Sequence, residues 1–436
     1  TQERYQADFA RVFAALGRPA SPIGQIIERT LDTERGAQLG AMLDAGRLGE
    51  TWRKWSRVRQ RELLEDLHTM PVLSSVNEIA RHYDLTVLYG PLATYGITLP
   101  RECKYVTFEH STMRWSHLYD QGGARMLALA YQHADGNIIT NADCYEAAQC
   151  LGITDRCEYI PHPLDEERFA PGEGADSELE ASVRQEIGTK GSGGPIELLL
   201  YAPARSSRKE VAGGKRNERI LYAFARYVRE AESQGAPRAG LMMAAWGSEW
   251  KETERLIDHL DIGQRVAALP CLPKLRVRML YQAADIVLDQ FSETVGSFGT
   301  VTAEAMACGK PVITWVDPAV HQWAIDAGWL ELPPVANALR TNDVYEQLVR
   351  LATNLETRKL MGAAGREWVE RVHGWRRVTG RALDLYGRVT GLPVPPEAWS
   401  LVRDSGSPLR RPAVEQSGNG HLSGADRYAA AEMGRA

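Results

Sequence analysis

Residues 296–315 read GSFGTVTAEAMACGKPVITW. Gly296 and Gly299 allow a tight turn without side chains directly ahead of a helix, whose first free amides fall at Thr300 and Val301. Such a helix start is a ready site for an anion such as a diphosphate. Glu304 lies four residues after Thr300, on the same face, where its carboxylate can accept hydrogen bonds from a diol. Ala303, Ala305 and Ala307 keep the helix slim, and Gly309 ends it before Pro311 opens a strand. Chemistry alone leaves a second reading open, in which a small-residue helix packs under a sheet and the glutamate is incidental.

Outward from this stretch, strand and helix alternate. IELLLYAPA, a helix near 217–232, AGLMMAAWG, a helix near 250–260, RVAALP, a helix near 275–283, ADIVLD, the helix near 300–308 and PVITWV form one series. That alternation predicts a parallel sheet with crossover helices. Further upstream, DLTVLYG (84–90), KYVTFEH (104–110), GNIIT (136–140) and CEYIPHP (157–163) repeat the pattern with fewer strands. The opening 70 residues read as helical, from Phe9, Val12 and Phe13 through Ile23, Ile27 and Leu31 to Trp52, Trp55 and Val58. Between the two series, 171–195 is rich in glycine and charge and reads as a connection. Residues 342–372 read as amphipathic helix, 375–389 as a closing helix, and 402–436 as a disordered tail.

The order of elements from about 196 to 315, and FGTVTAEAMACGKPVI above all, resembles glycosyltransferase family 4. The resemblance implies an α/β chain of GT-B architecture, two Rossmann-like domains facing across a deep cleft. The domains are expected at 1–170, on the acceptor side and either incomplete or with helical additions, and at 171–374, binding the nucleotide-sugar. A helix at 375–395 is expected to pack back on the first domain. The implied reaction is retaining transfer of a glycosyl unit, a hexose in the first instance, from a nucleotide-diphosphate sugar to an acceptor hydroxyl. Two alternatives are kept: an epimerase or hydrolase of the same plan, and a noncatalytic nucleotide-sugar-binding protein.

Within that resemblance Glu304 takes the ribose-binding position, with Gly299, Thr300 and Val301 at the donor's phosphates. Glu304 is the second acid of the family's E-x7-E pair; the first position holds Gly296, and the nearest acid is Glu293, which a reshaped loop would have to bring to the sugar. The loop after LLLYA carries Arg205, Arg208, Lys209, Lys215 and Arg216. Charge alone reads it as a solvated basic loop. The family's phosphate-binding arginine and lysine match Arg205 and Lys215, with Lys209 a rival for the second. His110, at the end of KYVTFEH, matches a histidine that contacts donor sugar or acceptor. IPHPLDEERFAP, with His162, reads as a hinge, and YQAAD (281–285) as packing.

Composition fits this reading. Charged residues at 25% and apolar ones at 44% are those of a globular protein, and 51 basic against 56 acidic residues give no nucleic-acid-binding balance. Six cysteines without a CxxC pair suggest buried thiols in a reducing, cytoplasmic setting. No HExxH, DxD, GxSxG or Walker pattern occurs, so neither a metal nor a further cofactor is expected. The expected partners are a nucleotide-sugar and a hydroxyl-bearing small molecule, glycan or lipid-linked acceptor, with no nucleic acid and no transmembrane segment. The chain opens TQERYQADFARVF, an amphipathic rather than a signal-like start, and the initial Thr1 suggests a processed or partial product.

Overall fold

The computed structural model describes residues 33–70, 73–118, 122–172, 181, 183–185, 187, 194–207 and 214–400. The helical reading of Phe9 to Leu31, the candidates Arg208 and Lys209, and the tail 402–436 lie outside the described residues. The chain divides into two compact units, one of residues to Ile160 with Arg381–Trp399, the other of Pro161–Gly380. Residues 161–170, read above with the first domain, group with the second unit.

The first unit begins with four helices, α1 (Thr33–Ala45), α2 (Gly49–Lys54), α3 (Arg57–His68) and α4 (Leu73–Ala80). Strands β1 (Thr86–Tyr89), β2 (Tyr105–Phe108), β3 (Gly136–Ile139) and β4 (Cys157–Tyr159) then form a four-stranded parallel sheet in sequence order. Helices α5 (Met113–Ser116), α6 (Gly122–His133) and α7 (Tyr145–Cys150) lie between the strands in sequence. β2 and β3 are buried along their whole length, as strands covered on both faces must be. Arg47 clamps Asp135 with two nitrogens at 2.6 and 2.7 Å, tying the helical opening to the start of β3.

In the second unit β5 (Leu198–Ala202), α8 (Glu218–Arg226), β6 (Ala239–Ala244), α9 (Trp250–His259), β7 (Val266–Leu269), α10 (Lys274–Ala283), β8 (Ile286–Leu288), α11 (Thr300–Ala307) and β9 (Val312–Thr314) follow the predicted alternation. After α12 (Pro318–Asp326), a two-residue strand β10 (Ala336–Asn337) adds an edge. The six-stranded parallel sheet runs β10-β9-β8-β5-β6-β7. Leu198 and Leu200 of β5, Leu241 and Met243 of β6, Ile286 of β8 and Ile313 of β9 share one core with Ile220, Leu221 and Phe224 of α8. The predicted single helix 342–372 is two, α13 (Thr341–Thr353) and α14 (Leu355–Val372). Asn354 makes the break, leaving helical backbone and accepting the Thr357 amide at 2.9 Å as the cap of α14.

α15 (Trp375–Thr390) carries the chain back to the first unit, and α16 (Pro396–Ser400) closes the described residues. There Arg381 donates to the Tyr159 carbonyl, Arg388 pairs with Glu158, and Leu385 and Val389 crowd Gly136, where an added β-carbon would come within 3.4 and 3.3 Å of them. Among the described residues no helix is long and apolar enough to cross a membrane.

Candidate active site

The strand order puts a switch point between β5 and β8. From β5 the chain proceeds outward through β6 and β7, and from β8 outward the other way through β9 and β10. The loops leaving the carboxyl ends of β5 and β8 diverge there, opening the crevice in which such sheets take ligands.

The loop after β8 builds one wall. Asp289 is buried, and its Oδ2 accepts the Gly299 amide at 3.0 Å and the Thr302 hydroxyl at 2.8 Å. A β-carbon on Gly299 would lie 3.0 Å from that same oxygen, so the residue that caps α11 is glycine for space. Gly299 offers no side chain to cap the helix, and the first-turn amides are those of Thr300 and Val301, which α11 cannot satisfy itself. Gly296, where the family has its first acid, is glycine for conformation. Its φ is +59°, and a β-carbon would meet Asp317 and Val320 at 3.0 Å.

The loop after β5 builds the other wall. Arg205 is exposed on it. Ser206 is locked to the loop after β6, its amide donating to the Trp246 carbonyl at 2.8 Å, while Gly247, with φ +111°, passes so close that a β-carbon would fall 2.5 Å from the Ser206 oxygen. The amides of Lys215 and Arg216 both donate to the Ser207 carbonyl, at 2.9 and 2.8 Å, closing the neck of the basic loop. Lys215 Nζ donates to Gln290 Oε1, and Gln290 Nε2 donates to the Ser297 carbonyl. Gln290 thus fastens the predicted phosphate lysine to the turn that starts α11. Nothing in the sequence singled Gln290 out, because its partners lie 75 and 7 residues away.

Glu304 is only 4% exposed. Its Oε2 accepts the Tyr281 hydroxyl at 3.0 Å, and its Oε1 is paired with Lys274 Nζ. Tyr281 stands edge-on to Tyr201 at 5.4 Å and tilts against Phe169 at 6.4 Å. Burial, then the Glu304 charge, push the Tyr281 phenol well above its usual range, so it stays a hydrogen-bond donor. YQAAD is therefore more than packing, since its tyrosine aims the carboxylate.

Glu293 is paired with the buried Arg219, whose guanidinium also donates to the carbonyls of Phe291 (2.9 Å) and Leu339 (2.7 Å). Behind the glycine turn, Phe298 stacks on His321 at 5.8 Å and meets Trp368 and His373 edge-on. His373 Nδ1 donates to the His162 carbonyl at 3.0 Å, its Nε2 is buried without a hydrogen-bond partner, and burial pulls its pKa down to about 4. The neighbouring Leu164 bridges Gly374, so the predicted hinge stretch is knitted to the end of α14.

His110 belongs to the first unit, exposed just beyond β2. Next to it Glu109 is fully buried, accepting Thr140 Oγ1 at 3.0 Å and Asn141 Nδ2 at 3.2 Å, while Ser111 adopts φ +63°. Two nitrogens of Arg114 grip Asp143, in the short turn just beyond β3. Among the described residues no group of three or more His, Cys, Asp or Glu side chains is disposed to hold a metal ion, and all six cysteines are free thiols.

The fold has solved counterparts. Sucrose-phosphate synthase from Thermosynechococcus elongatus superposes with a TM-score of 0.53 at 18% identity, covering 77% of this chain and 79% of that one. Anabaena HepE in complex with UDP-glucose gives 0.57 at 17% identity over 75% and 84%. The architecture is that of the GT-B glycosyltransferases.

Within it, residues 215–368 match the family described as Glycosyl transferases group 1, and the chain resembles glycosyltransferase family 4. A D-inositol 3-phosphate glycosyltransferase of Xylanimonas cellulosilytica is 27% identical over 245 residues, 54% of this chain and 52% of that protein. One from Mycobacterium leprae is 32% identical over 138 residues, 31% of each. The chain thus spans about half the length, or less, of these relatives.

Proposed function

We propose that the protein transfers a glycosyl unit from a nucleoside-diphosphate sugar to an acceptor hydroxyl with retention of anomeric configuration, as a cytoplasmic enzyme. The observation that carries the reading is the convergence of Lys215, the Gln290 bridge and the α11 start at the β5/β8 switch point, with Glu304 one turn further along the helix. In this reading Glu304 accepts the ribose hydroxyls, and Lys215, Arg205 and the Thr300 and Val301 amides neutralise the diphosphate. These cations and amides carry the charge that a metal or other cofactor would otherwise meet. As the bond from the anomeric carbon to the leaving phosphate oxygen breaks, the acceptor oxygen bonds to that carbon from the same face and its proton passes to the leaving phosphate. His110 hydrogen-bonds a sugar hydroxyl. Glu293, paired with Arg219, is the acid nearest in sequence to the missing first position, while Asp317 lies against Gly296 in space.

The names of the relatives add D-inositol 3-phosphate to the acceptors worth testing, and the HepE complex adds UDP-glucose to the donors. Purified protein incubated with UDP-, GDP-, ADP- and dTDP-sugars and a mixed cyclitol, glycan and lipid-linked acceptor pool should yield an acceptor heavier by one glycosyl unit, with nucleoside diphosphate released. Nucleotide-sugar binding without any such product would favour the noncatalytic reading, which Gly296 in place of the first acid makes specific. Release of free sugar alone would favour a hydrolase.

A further inference from the structure

Resting on the nucleotide reading above, we infer that Lys274 is a ribose-binding residue that works with Glu304 as a two-sided clasp. The Glu304 carboxylate has about four lone-pair positions. Tyr281 uses one on Oε2 and Lys274 one on Oε1, which leaves one on each oxygen, the number a ribose 2′,3′-diol needs for its two donors. The two protein partners differ in freedom. Tyr281 is buried and fixed among Tyr201 and Phe169, whereas the Lys274 side chain is 66% exposed.

An ammonium has three donors. One is spent on Glu304, and the others are free to reach the ribose oxygens, which remain acceptors after giving their protons to the carboxylate. Lys274 also supplies the positive charge that lets a buried carboxylate lose its last water when a nucleotide covers it. Its Nζ lies 5.8 Å from the Phe169 ring centroid, a second contact that keeps the amine beside Glu304.

Local helix chemistry argues that the position is not incidental. Lys274 is the first residue of α10, which begins KLRVR with no acid in its first turn. A cation there opposes the helix dipole. The pairing with Glu304 offsets that opposition only at this site.

The test is calorimetric titration of the full chain with the nucleoside diphosphate it binds best among UDP, GDP and ADP, compared with the 2′-deoxy and 3′-deoxy forms of that nucleotide. Lys274→Met should weaken the ribonucleotide roughly ten- to a hundredfold, the loss of one or two charge-assisted hydrogen bonds, and the deoxy forms far less, so that ribose discrimination collapses. Lys274→Arg should restore part of it, which a merely misfolded variant could not. Unchanged or tighter binding by Lys274→Met would overturn the clasp, making the lysine a bystander or a plug. Equal weakening of ribo and deoxy forms would also overturn it, assigning the lysine to the phosphates. If the unaltered chain binds none of these nucleotides, the proposed function fails first. If it binds them and Glu304→Gln weakens binding while Lys274→Met does not, only the clasp fails.

Discussion

At the scale of single residues the candidate site divides into groups whose partners are close in sequence and groups whose partners are distant. Gly299, Thr300, Val301 and Glu304 were legible because one turn and one helix face contain the whole reading. Asp289, Gln290 and Lys274 were not, since each acts on a residue 10, 75 or 30 positions away that only the sheet order brings near. The Gly296 geometry yields a prediction that runs against simple motif repair. Restoring the acid with Gly296→Glu should destabilise the fold by about 1–2 kcal/mol from its left-handed backbone alone, with more from the Asp317 and Val320 contacts, and should not raise activity. A denaturant melt and an assay on the same variant check both halves, and a stable, faster enzyme would refute the turn's role. Lys215→Ala should cut kcat by about a hundred- to a thousandfold if its charge meets the leaving diphosphate, a loss larger than its effect on KM. Gln290 is expected to follow it in sign and to be milder, because Gln290→Ala leaves the charge and removes only its tether.

At the scale of elements the regular alternation from β5 to β9 was readable because each strand is a short apolar run and α8 and α9 each carry one apolar face, while α11, buried nearly all round, was marked by its glycine turn. The two-residue β10 carries too little sequence to show a period. Asn354 was hidden inside a continuous amphipathic pattern, because the faces of α13 and α14 stay in phase across the break. Asn354→Ala should lower stability by about 1 kcal/mol, read as a drop in melting temperature, with the fold retained. The segment joining the end of α14 to the 162–166 stretch carries a pH dependence. His373 has a native pKa of about 4 against about 6.5 when unfolded, because burial outweighs the hydrogen bond it gives His162. The unfolded chain therefore takes up a proton that the native one refuses between these values. Stability from this group is fully present above pH 6.5, is lost as pH falls toward 4, and changes no further below; the loss is on the order of 3 kcal/mol. His373→Phe should flatten the stability curve between pH 4 and 6.5, and a curve parallel to that of the unaltered protein would show that other groups set the slope.

At the scale of the whole chain, sequence order was the strongest guide. The basic loop, the glycine turn and the acidic helix face follow one another in the second unit as they do in the family the chain resembles. The first unit was read less fully, since helices α1 to α4 precede its sheet and no turn motif marks where the strands begin. Its β2 and β3 were nevertheless visible as apolar runs, and His110 follows directly on the first of them. Retaining transfer is tested most directly by proton NMR of a transfer mixture containing the donor and acceptor found in the mass screen. A product whose anomeric coupling matches that of the donor linkage, appearing in step with released nucleoside diphosphate, is the predicted result. An inverted anomer, or donor consumed to free sugar with the acceptor unchanged, would contradict it.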